Sequence, residues 1–216
     1  MPNAVKITKF THSCVLVESS EGAVLFDPGI FSWESGLVNL ETFPRIDRVV
    51  VSHQHSDHCA EPFVRALVDK FPDLSWYAPR DSFEVLRSWG VNKVSNESTA
   101  KLVISEQNHA LVEPFGVQVN NLVSHWSGVV THPGDTHDFT ETKDILLLPI
   151  QAPWGTTIRA IELVYELKPK YVLPIHDWMW NEKWRESVYT RLDNLLIDSS
   201  TKFIRPEGGK SIEVIV

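Results

Sequence analysis

Three imidazoles and one carboxylate fall within six consecutive positions, His53-Gln54-His55-Ser56-Asp57-His58. They directly follow the apolar run Arg48-Val49-Val50-Val51-Ser52. A strand that ends in such a loop delivers several ligand-type groups into one small volume. Neutral imidazole and carboxylate are the ordinary protein ligands of zinc, and imidazole also suits iron and copper. Histidines do cluster on surfaces without a ligand, but a solvated loop has no physical reason to concentrate them this way. Three further segments share the character of a strand end carrying a ligand-type side chain. His109 in Gln107-Asn108-His109-Ala110 is expected to enter a strand. Asp135 follows the Pro-Gly turn of Thr131-His132-Pro133-Gly134-Asp135-Thr136. His176 closes the apolar run Tyr171-Val172-Leu173-Pro174-Ile175-His176.

The elements that must position these groups follow from the hydrophobic pattern. Residues 5–10, 14–18 and 23–26 read as short strands, with a turn at Glu21-Gly22. Residues 49–52 form a nearly all-apolar strand, as expected for one covered on both faces. A helix should follow, with Ser56 as its N-cap and Phe63, Ala66, Leu67 and Val68 as its apolar stripe. A strand at 76–78 and a helix at 81–89 closed by Gly90 come next. Strands return between 101 and 131, with Ser127-Gly128 as a turn, and 144–150 is a buried strand. Thr156 should cap a helix whose inner face is Ile158, Ile161, Leu163, Val164 and Leu167. A strand at 171–175, a helix at 184–196 with Asp177 as one candidate cap, and strands at 203–204 and 212–216 close the chain. Each half thus reads as strands followed by strand–helix units, which two packed sheets with helices outside would satisfy.

Composition narrows the classes. The chain has 216 residues and is 43% hydrophobic, enough for one large domain over 1–216 with a sizeable core. The N-terminus Met1-Pro2-Asn3-Ala4-Val5-Lys6 lacks an apolar signal core and no run is long enough to span a bilayer, so a soluble, cytoplasmic protein without a membrane partner is expected. Two cysteines, Cys14 and Cys59, do not make a disulfide framework and suit a reducing compartment. The formal net charge of -8, with no basic stripe, argues against a nucleic-acid partner. Bound divalent ions would nevertheless attract an anionic substrate locally. A small-molecule substrate is expected, and a homo-oligomer is compatible with the sequence.

Taken together, the strands ending Leu25-Phe26-Asp27-Pro28-Gly29, the HxHxDH run, His109, the Pro-Gly-Asp-Thr turn and Leu173-Pro174-Ile175-His176 resemble the metallo-β-lactamase-fold hydrolase superfamily. The chain is most similar to its small single-domain branch, which includes the ascorbate-phosphate lactonase-like proteins. The resemblance spans nearly the whole chain. It implies an α/β fold, a four-layer αββα sandwich of two mixed sheets with helices on both outer faces. It also implies two divalent ions, with His53, His55 and His109 on one, Asp57, His58 and His176 on the other, and Asp135 bridging them. His125, in Ser124-His125-Trp126, competes with His109 as third ligand of the first ion; His109 is favoured because the family's ligand opens a strand. Zinc suits the ligand types best, with manganese or iron as alternatives. The chemistry implied is hydrolysis by a hydroxide shared between the ions, with Asp57 orienting it and carrying a proton. The bond cleaved would be an ester, lactone or phosphodiester of a small metabolite. A catalytically silent metal-binding or regulatory protein and a nuclease-type phosphodiesterase are the alternatives. Flavodiiron relatives carry a carboxylate where this chain has His55, which favours hydrolysis over oxygen reduction.

Other residues have bland readings beside functional ones. Asp27 is read both as a turn former and as acceptor for the second ring nitrogen of a ligand histidine. His12 is equally a supporting residue of the site and a capping or surface histidine. His132 is at least as readily a packed strand-end residue, and His137 a loop histidine. Cys59 and Cys14 read as small buried hydrophobes. Trp154 and Trp178 are expected to wall a substrate pocket, and Asp177 is read as a site-supporting residue or a cap.

Overall fold

The computed structural model describes residues 4–216. Met1-Pro2-Asn3, part of the segment read for a signal core, lies outside the described residues. No helix of the described residues is long and apolar enough to cross a membrane.

The first sheet collects β1 (Ala4–Lys9), β2 (Val15–Ser19), β3 (Gly22–Phe26), β4 (Arg48–Val50), β5 (Ser75–Tyr77) and β6 (Val94–Ser95). A C-terminal strand, β13 (Ser211–Ile215), completes it in the order β13-β1-β2-β3-β4-β5-β6. The second sheet collects β7 (Leu102–Asn108), β8 (Asn120–Trp126), β9 (Val130–His132), β10 (Ile145–Pro149), β11 (Tyr171–Ile175) and β12 (Lys202–Phe203), in the order β12-β11-β10-β9-β8-β7. Both sheets are mixed. In the first, β13, β1, β2 and β3 pair antiparallel and β3 to β6 parallel. In the second, β7, β8 and β9 pair antiparallel and β9 to β12 parallel.

Period-two alternation sorts each strand between two layers. Along β3, Val24 and Phe26 enter the core between the sheets, while Ala23 and Leu25 face the outer layer. Along β10, Ile145 and Leu147 point between the sheets, and Leu146 and Leu148 point outward. Both faces are covered, which is why these strands read as unbroken apolar runs. The outer layer of the first sheet holds α1 (Ile30–Glu34), α2 (Glu61–Lys70) and α3 (Phe83–Ser88). That of the second holds α4 (Thr157–Leu167) and α5 (Glu182–Leu196). The architecture is the expected αββα sandwich.

Several local expectations need correction. Ser56 caps no helix: its carbonyl accepts from Ile30 N at 2.8 Å, and α2 starts later, after Ala60, with a proline in its first turn. Asp177 is not a cap either, because Asn181 caps α5 by accepting from Trp184 N at 2.9 Å. Ile158 is 72% exposed; the stripe of α4 that reaches the core is Ala160, Leu163 and Val164, with Ile161 and Leu167 beside it. Thr156 does cap α4. The sequence reading had no counterpart for the short helix α1, which follows directly after Pro28-Gly29.

Candidate metal centre

The HxHxDH run leaves β4 as a tight loop. His58 N and Cys59 N both donate to His55 O, at 2.9 and 2.8 Å. The neighbouring Asp27-Pro28-Gly29 turn packs directly against this loop, and a Cβ on Gly29 would lie only 1.7 Å from Asp57 O. Only glycine permits that approach. On the second sheet, β9 ends in the Pro-Gly turn before Asp135, and β11 ends at His176. His109 lies at the end of β7 rather than opening a strand, and its N–H continues the ladder to Val119 O at 2.9 Å.

These ends converge at one edge between the sheets. His53, His55 and His109 each place a ring nitrogen within 4.8 Å of the others. His12, Asp57, His58 and His176 form a second such group, and His53, His58 and Asp135 a third that joins the two. Asp135 is central. Its Oδ2 lies 3.3 Å from His109 Nε2 and 3.1 Å from His176 Nε2, and its Oδ1 lies 3.1 Å from His58 Nε2. All seven residues singled out by the sequence are therefore brought together. His125 is not among them. It is held by Thr131 Oγ1 at 2.9 Å and Glu141 Oε1 at 3.2 Å.

Each histidine has one ring nitrogen committed to a hydrogen bond on the far side. His53 Nδ1 meets Ser52 Oγ at 3.0 Å, and His55 Nε2 meets Val117 O at 2.8 Å. His109 Nδ1 meets Ala110 O at 2.6 Å, and His176 Nδ1 meets Gln151 O at 2.7 Å. His58 Nδ1 meets Asp27 Oδ2 at 2.7 Å. A carbonyl, hydroxyl or carboxylate there accepts the ring N–H, which orients the ring and makes the other nitrogen the one available to an ion. Asp27 is fully buried and is itself held by Ser52 N and Ser52 Oγ, at 2.7 and 2.8 Å. It occupies the acceptor position expected of it. His132 supports Asp27 from behind: its Nδ1 accepts from Gly134 N at 3.0 Å and its Nε2 lies 3.3 Å from Asp27 Oδ2.

The fit to a cation is visible in what has no partner. Among the described residues, His53 Nε2, His58 Nε2, His109 Nε2 and Asp135 Oδ1 are buried and make no hydrogen bond. Unsatisfied buried polar atoms are rare and costly, so four of them in one cluster need an occupant. Three imidazoles and a shared carboxylate form a donor set for a divalent transition metal.

Electrostatics agree. Burial alone would raise the Asp135 carboxyl, but His176, His58 and His53 outweigh it and hold it well below the usual range. Asp57 behaves alike, with burial overcome by His58 and His12. Burial lowers His53 strongly, helped by His58. Burial works against protonation of His58 and His176 as well, yet Asp135 and the nearby carboxylates raise both.

Two residues escaped the sequence reading in part or whole. His12 joins the second group through Nε2, 3.2 Å from Asp57 Oδ2, and its ring packs 4.0 Å from that of His176. Burial, then His176, pushes its pKa down to about 4. Only its left-handed backbone (φ 59°), between β1 and β2, turns it inward, and nothing in the spacing announces that. Ser52, read only as a strand end, serves Asp27 and His53 together. Of the two tryptophans, Trp154 touches the site directly, donating from Nε1 to Asp135 Oδ2 at 3.0 Å. Trp178 stacks flat on Phe31 at 3.8 Å, and Phe31 meets the His12 ring edge-on. His137 is a loop residue donating to Pro149 O, and both cysteines are buried.

Comparison with known proteins is consistent with this geometry. Residues 6–176 match the family described as the β-lactamase superfamily domain. Protein Rv0786c of Mycobacterium tuberculosis is 27% identical over 88% of this chain and 92% of its own. A UPF0173 metal-dependent hydrolase of Pyrococcus horikoshii is 24% identical over 82% of this chain and 86% of its own. Among solved structures, a metallo hydrolase of Ignicoccus hospitalis superposes with a TM-score of 0.70 at 19% identity, covering 98% of both chains. The chain belongs to the β-lactamase superfamily and has the metallo-hydrolase fold of its metallo-β-lactamase members.

Proposed function

We propose that this metal-dependent hydrolase holds two divalent ions, with zinc preferred and manganese or iron also suited to the ligands, and cleaves an ester, lactone or phosphodiester bond of a small metabolite. The observation that carries the reading is the convergence of unpartnered buried nitrogens, His58 Nε2 and His109 Nε2, on opposite oxygens of one carboxylate, Asp135. His53, His55 and His109 would hold one ion, Asp57, His58 and His176 the other, and Asp135 would touch both. Bound there, such ions supply an activated water and a Lewis acid for the bond attacked.

The chain's own residues do the rest. Asp27, Ser52, Val117 O, Ala110 O and Gln151 O hold the rings in one orientation. Trp154 donates to Asp135 and fixes its plane. Asp57 is kept ionised, with Oδ2 tied to His12, and is the group placed to take and return a proton during cleavage. An open cleft of about 550 Å³, lined by His109, Leu111, His137 and Trp154 among others, borders the first group at His109.

Metal analysis of the purified protein together with hydrolysis assays on ester, lactone and phosphodiester panels tests the reading. Asp57→Ala should abolish turnover with the circular dichroism spectrum intact. A fully metallated protein inert on all three panels would overturn it in favour of a silent binding protein.

A further inference from the structure

A buried ionic cluster lies just behind the second group, and the proposed hydrolysis does not use it. Lys9 ends β1 with its side chain only 4% exposed, 2.7 Å from Asp177 Oδ1. Asp177 is the residue after His176 and is equally buried. Tyr189 donates its hydroxyl to Asp177 Oδ2, and Arg185 Nε lies 3.6 Å from the same oxygen. Replacing a buried ion pair by apolar groups is often neutral or stabilising, so this cluster is weakly explained by stability alone.

The cluster borders a cavity of about 160 Å³ whose lining includes Lys9, His12, Asp177, Trp178, Arg185 and Tyr189. Hydrogen bonding around it is incomplete. Among the described residues, the Lys9 ammonium has no partner besides Asp177, which leaves two of its three N–H groups unused. Arg185 Nε, in ionic contact with Asp177, and His12 Nδ1 are buried and make no hydrogen bond. Because the Asp57 carboxylate can only accept, His12 presents a hydrogen to it from Nε2, which turns Nδ1 away from Asp57 and leaves it without a partner. Two cations and one carboxylate line the space. Glu182, which pairs with the outer end of Arg185, is exposed and is not part of the lining.

We propose that this cavity is a substrate subsite for a small oxyanion that also carries an O–H, either a hydrogen phosphate or a hydroxycarboxylate group. Lys9 and Arg185 would donate to the oxyanion, and His12 Nδ1 would accept the hydroxyl hydrogen. His12 then spans the two chemistries, with Nε2 on Asp57 beside the proposed ions and Nδ1 toward the bound anion. A substrate anchored this way has its polar end on the far side of His12 from Asp57. The inference rests on the proposed hydrolase reading for what the anchored group belongs to, but binding itself can be measured without turnover.

The test titrates the metal-loaded protein with inorganic phosphate, glycolate, acetate and chloride, following the Trp178 indole N–H by NMR. Saturable shifts are expected with phosphate or glycolate, and much weaker ones with acetate, which lacks the O–H, and with chloride. Whichever of phosphate or glycolate binds tighter identifies the source. Lys9→Met/Asp177→Asn removes both buried charges together and should weaken that binding about tenfold or more, with metal content unchanged. Arg185→Gln, which leaves the Lys9–Asp177 pair in place, should weaken it too and serves where the double variant does not fold. Equal affinity in wild type and variants means that the anion sits on the metals and overturns the subsite. So does the absence of a saturable shift, or acetate binding as tightly as glycolate. Anion binding that survives in a protein inert on every ester, lactone and phosphodiester sinks the hydrolase reading and leaves the subsite standing.

Discussion

The two ligand groups are built largely from different materials, apart from His53 of the first, which rests on Ser52 Oγ, and His176 of the second, which rests on Gln151 O. In the first, His55 and His109 are steadied by main-chain carbonyls, those of Val117 and Ala110, both in the 110–119 connection between β7 and β8. That connection is exposed: Leu111, Phe115 and Val117 are 76%, 80% and 72% accessible. In the second, His58 rests on the fully buried Asp27, and Asp57 on the buried His12. Backbone support on a surface connection moves when the connection moves. Side-chain support in the core moves only when the core repacks. The first position should therefore exchange its ion more readily, and the second should be the tighter one.

The largest break in this contrast should come from Gly29→Ala. A methyl group there must displace the Asp57 carbonyl, which shifts Asp57 and His58 together. Overpacking of this kind typically costs about 1–3 kcal/mol. Chemical denaturation should show a loss of that size, and metal analysis should show the second ion gone before the first.

Next is Asp27→Ala, which leaves His58 Nδ1 and Ser52 without their acceptor. Removing such an outer partner usually costs about 10–100-fold in metal affinity. Competition with a chelator should find that loss at the second position, and a smaller one at the first, where Ser52 also holds His53. An equal loss at both would erase the proposed difference between them.

A smaller effect is expected from Gln118→Ala. Gln118 Nε2 donates to His109 O at 2.6 Å and ties the 110–119 connection to the end of β7. One hydrogen bond of this type contributes about 1 kcal/mol, so the first ion should bind roughly fivefold more weakly, with the second unchanged.

The smallest difference should appear in pH dependence. Carboxylates raise His58 and His176 in the metal-free protein, whereas burial lowers His53. A raised histidine is still protonated above its ordinary range and must release that proton to bind an ion. Affinity at the second position should therefore climb as pH rises from about 6.5 upward, the ordinary histidine pKa. The rise at the first position, where burial lowers His53, should be shallower over the same interval. Calorimetry in buffers of different ionisation enthalpy reads the protons released.

Much of this contrast was legible in the sequence, but unevenly. His53, His55, Asp57 and His58 announce themselves because four ligand types share one short loop after an apolar strand. Asp135 and His176 are legible because each ends a strand, where Pro-Gly or an apolar run marks the stop. His109 was placed correctly in the cluster but at the wrong end of its strand, since Asn108 and His109 carry no signal that separates a strand's entry from its exit. His12 is only half legible, and Ser52 illegible, for a physical reason. Their roles depend on tertiary neighbours, Asp57 and Asp27, that sequence distance does not reveal. The α2 start was misread because Ser56 has the right chemistry for a cap, but its carbonyl is already engaged by Ile30 N.

His12 and His176 both adopt left-handed backbone angles, and the N–H of the second meets the carbonyl of the first at 3.3 Å. That handshake joins a residue near the start of the first sheet to one near the end of the second. An ion needing donors from both sheets is therefore retained only by a chain whose two halves have already docked. Partly assembled molecules have no purchase on it, so metal retention would report native assembly of the sandwich as well as readiness for chemistry.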